Sequence, residues 1–345
     1  MKSPLVRLVT GKGCLWALLF VLGCSNEIGD EPLRFSGGTM GTNYTVQVYA
    51  PESEKLTVEV GIQRTLRRVV GSTSVYEPRS DVSRFNAAEP GEWVEVSDEV
   101  ARIVSTGLEV AELTDGAFEP TILPLVNLWG FGPQGRAEEI PSDEELEAAM
   151  AMIGWQALEV RMEPPALRKS EPREIDLGGI AKGYGADAVA DYLRDQGYRH
   201  FLVELGGDMV LEGGKPDGSP WRIAIEKPDE TQRGIYRILE IQDAALVTSG
   251  DYRNYYEVDG QRYSHTIDPT TGFPVDHRLA SVSVIAETSL LADAWSTALM
   301  VLGPERAAEV AEREEVSTLL IERNEDGFVE QATGEFIRLL AEEDD

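Results

Sequence analysis

The residues with the clearest capacity for chemistry lie in Glu174-Ile-Asp-Leu-Gly-Gly-Ile-Ala-Lys-Gly-Tyr-Gly-Ala-Asp187. One carboxylate (Asp176), two residues without side chains (Gly178, Gly179) and one ammonium (Lys182) stand where a helix begins. Ile180, Tyr184, Ala188 and Tyr192 recur at helical spacing, and Gly197 marks the end. A helix start bared by glycines can cradle a phosphate, because its amide N–H groups and dipole favour negative charge. The same glycines could equally serve close helix packing. Neither Gly-x-x-x-x-Gly-Lys-Ser/Thr nor Gly-x-Gly-x-x-Gly is present.

A second cluster sits in Ala292-Asp-Ala-Trp-Ser-Thr-Ala298. Asp293, Ser296 and Thr297 occupy positions i, i+3 and i+4 and so share one helix face. Oxygen-only donors suit Mg²⁺ or Ca²⁺, and Mg²⁺ commonly joins a carboxylate to substrate phosphates. The competing reading is an aspartate placed favourably in a first helical turn. His265 lies in Tyr263-Ser-His-Thr-Ile-Asp-Pro-Thr-Thr-Gly272, before a turn-forming segment. It is either a structural histidine or a proton carrier near neutral pH. Gly206-Gly-Asp208 and Thr248-Ser-Gly-Asp251 read as tight turns after apolar strands, each able to face a ligand.

The elements that must position these groups read as a mixture. Strands are expected at 44–49, 201–204, 221–226, 236–241, 245–248, 281–286 and 317–321. Helices are expected up to about Val70, from Ser97 to Thr114, from the Ser142 capping box, and at 290–302 and 305–315. Strands and helices cluster without strict alternation, which favours α+β over a doubly wound sheet. Gly116 to Gly132 is apolar but broken by prolines, and regular structure throughout it is not expected.

Of 345 residues, 42% are apolar and 27% charged, and the formal net charge is −30. So acidic a chain argues against nucleic-acid binding, and an anionic substrate would need local cations or a metal. Lys2, Arg7 and Lys12 precede and flank the apolar run Cys14–Gly23, too short to span a bilayer. Val21-Leu-Gly-Cys24 looks like a lipobox, with Cys24 as the lipidated residue of an extracytoplasmic, periplasmic protein held on a membrane. Both cysteines of the chain lie in this segment, so the remainder forms no disulfide and offers no thiol. The expected organisation is a signal peptide over 1–23, a tether over 24–32, one domain of two closely packed lobes over 33–340, and an acidic tail over 341–345.

Taken in order, the segments 38–42, 83–86, 116–120, 176–183, 204–208, 249–250, 264–272 and 292–297 resemble the ApbE family, the FAD:protein FMN transferases. The resemblance implies an α+β fold with a T-fold-like core and an inserted α/β lobe. It implies that Met40, Tyr76, Ala117, Phe118, Glu119, Asp176, Lys182 and Ile267 contact FAD. The Gly179 carbonyl, Asp293, Ser296 and Thr297 would hold Mg²⁺, and His265 and Asp293 would be catalytic. Glu119 departs from the family's usual Asp, which touches one contact to the flavin side of FAD. The implied reaction is Mg²⁺-dependent transfer of FMN to a Ser or Thr hydroxyl of an acceptor protein, with AMP released. Acceptors of the Rnf type, or of sodium-pumping NADH:quinone reductase, would be partners. An FAD pyrophosphatase and a non-catalytic FAD-binding lipoprotein are the alternatives.

Overall fold

Eight strands form the central sheet: β1 (Leu33–Thr39), β2 (Thr42–Val48), β3 (Phe201–Leu205), β4 (Asp208–Glu212), β5 (Ala244–Gly250), β6 (Leu279–Ala286), β7 (Ser317–Asn324) and β8 (Gly327–Ala332). Their spatial order is their chain order, and every neighbouring pair is antiparallel. This computed structural model describes residues 31–133, 140–229, 234–251, 255–258, 261–325 and 327–344. The signal segment, Cys24 and all but the last two tether residues lie outside them.

Long segments are inserted between sheet neighbours. The stretch between β2 and β3 contains α1 (Lys55–Thr73), α2 (Asp98–Leu113) and α3 (Ala181–Asp195), with a three-stranded sheet of 94–95, 158–162 and 165–169. Between β6 and β7 runs α4 (Ser289–Arg313). Ser97 caps α2 through the Val100 amide, and Thr288 caps α4 through Leu291, as polar residues ahead of an apolar periodic run should. Gly303 and Pro304 break α4 near its middle. Pro304 cannot donate to the Met300 carbonyl; the His277 ring supplies the bond instead through Nε2, at 2.8 Å.

The sheet is covered on both faces, which explains why β6 is buried from Leu279 to Ile285 instead of alternating. On one face, Val46, Val203, Leu205 and Val210 pack against α1 and α3, while Val247, Val282 and Val284 pack with α4. On the other, Leu202, Leu211, Leu246, Ile285 and Leu319 meet the hairpin of 221–226 and 235–241 and a last helix, Glu335–Asp344. That helix carries Phe336 and Leu339 into the core, so residues 341–344 continue a helix where the sequence suggests a tail.

A separate apolar cluster forms a cap. Leu125 and Trp129 from the Gly116–Gly132 segment meet Leu146 of the capped helix Asp143–Met150, with Tyr263 and Ile267. The Trp129 indole N–H donates to the Gly272 carbonyl at 2.8 Å, tying together chain segments 143 residues apart.

Candidate active site

The first turns of α3 and α4 cross at glycines. A Cβ on Gly183 would lie 2.2 Å from the Ser289 carbonyl oxygen and 2.7 Å from the Asp293 Cβ. A Cβ on Gly179 would lie 3.0 Å from Thr297 Cγ2. Gly183 and Gly179 therefore serve packing, and the packing creates the site. Asp187, one turn further along α3, accepts from the Ser289 and Leu290 amides at 2.9 and 2.8 Å and pins the start of α4.

At this crossing lies a buried charge cluster. The Lys182 ammonium is 3.0 Å from Asp208 Oδ2 and 3.4 Å from both Asp293 oxygens. The Gly183 amide donates to Asp293 Oδ2 at 2.9 Å. The two aspartate side chains are 2% and 1% exposed, whereas Lys182 keeps 28% of its side-chain surface open. The cations and anions are thus ordered by depth, with the ammonium nearest solvent. Burial alone would lower the Lys182 pKa; Asp208 and Asp293 together outweigh that and hold it above the usual lysine range. Burial pushes the Asp208 carboxyl well up, and the neighbouring Asp293 charge pushes the same way.

With both carboxylates ionised against one ammonium, this cluster is one positive charge short, an expensive state away from water that either a proton on Asp208 or a bound cation relieves. At its open side the Thr297 hydroxyl donates to the Gly179 carbonyl at 3.0 Å, and both residues are half-buried. Among the described residues no group of three or more His, Cys, Asp or Glu side chains is arranged to hold a metal. The donors that do converge, a carbonyl, a hydroxyl and a carboxylate, are the hard oxygen set that Mg²⁺ prefers, and the missing charge fits a cation. The Ser296 hydroxyl is turned the other way, 2.8 Å from Ser249 Oγ on β5 and 3.1 Å from the Asp293 carbonyl.

The other expected residues are each held by contacts of their own. Asp176 accepts from the exposed Gly178 amide at 2.6 Å; burial raises its carboxyl pKa, and that hydrogen bond offsets only part of the rise. Its charge reaches the Tyr76 phenol, whose pKa is raised by burial first and by Asp176 second. Tyr76 is 65% exposed and its hydroxyl donates to the Phe131 carbonyl at 3.2 Å. The Phe131 ring meets exposed His265 edge-on, with centroids 6.4 Å apart. Ile267 is buried beneath, paired with Pro274. Met40 heads the β1–β2 turn with φ of +48°, unusual for a side chain of this size, and its sulfur lies 3.3 Å from where a Gly185 Cβ would stand.

Ala117 and Phe118 are buried, the latter with its ring against Gly107. Glu119 is engaged by its own chain. Oε1 accepts from the Thr121 amide and hydroxyl at 2.8 and 2.6 Å, and Oε2 from the Trp155 amide at 3.0 Å. Burial nevertheless raises its pKa. The added methylene relative to Asp lets this carboxylate clasp the 154–155 turn.

Two residues absent from the sequence-derived set matter to this geometry. Asp208 is the closer partner of Lys182, and its signal is the Gly206-Gly-Asp turn, in which Gly206 and Gly207 have φ of +63° and +104°. Asn86 pairs through its side-chain amide with both the N–H and C=O of Ile175, at 2.8 and 2.9 Å, and so sets the approach of Asp176.

With this geometry in place, comparison with known proteins is decisive. The sequence model of the ApbE family matches residues 40–320. The FAD:protein FMN transferase of Vibrio cholerae serotype O1 is 44% identical over 330 residues, covering 95% of this chain and 98% of that protein. The Haemophilus influenzae protein of the same name is 37% identical, with 96% and 98% covered. The solved structure of the flavin transferase ApbE from Vibrio cholerae superposes with a TM-score of 0.83 at 43% identity, covering 90% of this chain and 99% of that one. An α+β fold with a charged cleft between two helix starts is the class of protein this is. The chain belongs to the ApbE family.

Proposed function

We propose that this protein transfers FMN from FAD to a Ser or Thr hydroxyl of an acceptor protein, releasing AMP, in a Mg²⁺-dependent reaction. The carrying observation is the convergence of Lys182, Asp208, Asp293, Thr297 and the Gly179 carbonyl at one helix crossing, in a chain similar along nearly its whole length to FAD:protein FMN transferases.

In this reading the FAD diphosphate lies over the first turn of α3. Gly178 bares the backbone there, and Lys182 presents its ammonium to the diphosphate oxygens. The acceptor hydroxyl oxygen forms a bond to the FMN-side phosphorus while the bond from that phosphorus to the AMP oxygen breaks. AMP departs with the electron pair. His265 takes the hydroxyl proton, a role suited to an exposed imidazole. Asp293, Thr297 and the Gly179 carbonyl would hold Mg²⁺, which when bound neutralises charge on the phosphoryl oxygens. Met40, Tyr76, Ala117, Phe118, Asp176 and Ile267 would line the FAD site, with Glu119 acting on it through the 154–155 turn.

The remaining expectations belong to the same proposal. The domain over 33–340, with its two closely packed lobes, hangs from a lipid on Cys24 at a periplasmic membrane surface. Its acceptors are subunits of membrane redox complexes of the Rnf or sodium-pumping NADH:quinone reductase kind.

The deciding experiment incubates the full chain with FAD, Mg²⁺ and an acceptor domain, then resolves the mixture by denaturing gel. Flavin fluorescence travelling with the acceptor supports transfer. Free FMN and AMP with a dark acceptor band would show a pyrophosphatase, and bound FAD without turnover would show a carrier.

A further inference from the structure

Lys182 occupies the space between two carboxylates, yet not evenly. It is 3.0 Å from Asp208 and 3.4 Å from Asp293, so its shorter and better bond is to the residue that the metal reading leaves out. Asp208 has no route to solvent, being 1% exposed at the start of β4 behind the Gly206-Gly207 turn. Asp293 already receives the Gly183 amide at 2.9 Å and stands beside the half-buried Thr297. A divalent cation arriving at Asp293 meets an ammonium in its way, and two cations a few ångströms apart repel strongly in a poorly solvated site.

We propose that Asp208 is a positioning residue that draws the Lys182 ammonium off Asp293 and so leaves that carboxylate able to take a divalent cation. The ammonium rests on Asp208 when the cation is bound and shares Asp293 when it is not. The Lys182–Asp208 pair is itself neutral, so the cluster carries one negative charge without the cation and one positive charge with it. This inference rests on the reading of Asp293 as a Mg²⁺ ligand and extends it to a residue with no direct contact to the ion.

The test is calorimetric titration of Mg²⁺ into the full chain without FAD, for the wild type, Asp208→Asn, and the double variant Asp208→Asn with Lys182→Met. In Asp208→Asn the ammonium has only Asp293 as a carboxylate partner, and Mg²⁺ affinity falls by about tenfold or more. In the double variant the competitor and its holder are both gone, the net cluster charge returns to that of the wild type, and affinity returns to within about threefold of it. A merely structural role for Asp208 predicts the opposite, because removing Lys182 as well would compound the damage. Unchanged affinity in Asp208→Asn overturns the proposal, and so does a double variant as weak as the single one. Should Asp208→Asn fail to fold, Lys182→Met alone decides: with the competing ammonium gone and Asp208 in place, Mg²⁺ affinity rises above that of the wild type, and an equal or weaker affinity overturns the proposal. A wild-type chain that takes up no Mg²⁺ at all sinks the metal reading itself, a result distinct from any of these.

Discussion

The charge cluster between α3 and α4 and the aromatic cap are built by opposite means. The cluster has its carboxylates deep and is fixed by backbone: Gly183 admits the Ser289 carbonyl, Asp187 clamps the α4 amides, and Asp293 takes a main-chain N–H. The cap is held by rings, from buried Trp129 and Tyr263 outward to exposed His265. Trp129, Tyr263 and Tyr256 stack in sequence at 5.3 and 5.5 Å between centroids, Tyr256 meets Phe131, and Phe131 meets exposed His265. A buried ionic cluster tolerates no loose geometry, since its desolvation is offset only while every partner is in place. Stacked rings lose little by sliding past one another.

Breaking the rigid side should cost most. Asp293→Ala removes the carboxylate that faces both Lys182 and the Gly183 amide, and FMN transfer to an acceptor domain should fall by about 10³-fold. Wild-type turnover by this variant, measured by in-gel fluorescence over time, would falsify the assignment of Asp293. Gly183→Ala probes the same region without touching a charge. Its methyl group meets the Ser289 backbone carbonyl at 2.2 Å, an atom that cannot swing aside, so the helices must separate. A loss of roughly 3 kcal/mol in stability is expected from overpacking of this kind. Chemical denaturation checks it, and a variant as stable as wild type would show that the crossing is looser than described.

On the cap side, His265→Ala should slow transfer by about 10²-fold while leaving FAD affinity within a few fold, because the imidazole serves the proton and not the cofactor. Equal losses in both measurements would reassign His265 to FAD binding. Trp129→Phe keeps the stack and deletes the bond to the Gly272 carbonyl. About 1 kcal/mol of stability should go, with little change in transfer.

The same contrast explains what could be read from sequence. Asp293, Ser296 and Thr297 announce themselves because helical periodicity fixes which face they share, Lys182 because it stands at a glycine-marked helix start, and the capped starts of α2 and the 143–150 helix follow from local chemistry. Asp208 does not, since its bond to Lys182 spans 26 residues and depends on how a strand end meets a helix start. Ser296 illustrates the converse: its hydroxyl lies 2.8 Å from Ser249 Oγ on β5, a contact that periodicity cannot reveal. β1 escapes because Leu33-Arg-Phe-Ser-Gly-Gly-Thr39 dilutes its alternation with two glycines, and β4 because it follows so closely on a turn. The cap is the least legible region. Its members come from three distant segments joined by rings, and short apolar runs with prolines carry no period to follow.

The smallest expected effect concerns the clamp that joins the two helices. Burial pushes the Asp187 carboxyl up to about 6, while the Ser289 and Leu290 amides work against that rise. An unfolded aspartate titrates near 3.9. Between about pH 4 and 6 the folded chain therefore binds a proton that the unfolded chain has lost, and this group's contribution to stability declines as pH rises through that window. Above about pH 6 both states are ionised and the contribution is flat. The positive end of α4 favours the charged form and so narrows the span. Asp187→Asn gives up one of the two amide bonds at every pH, a cost of about 1 kcal/mol, but removes the slope. Unfolding free energies of wild type and variant measured from pH 4 to 8 should converge as pH rises toward 6 and run parallel beyond it. Parallel curves throughout would mean that the clamp is ionised across the whole range, and that the rigidity of the charge cluster owes nothing to protonation at its hinge.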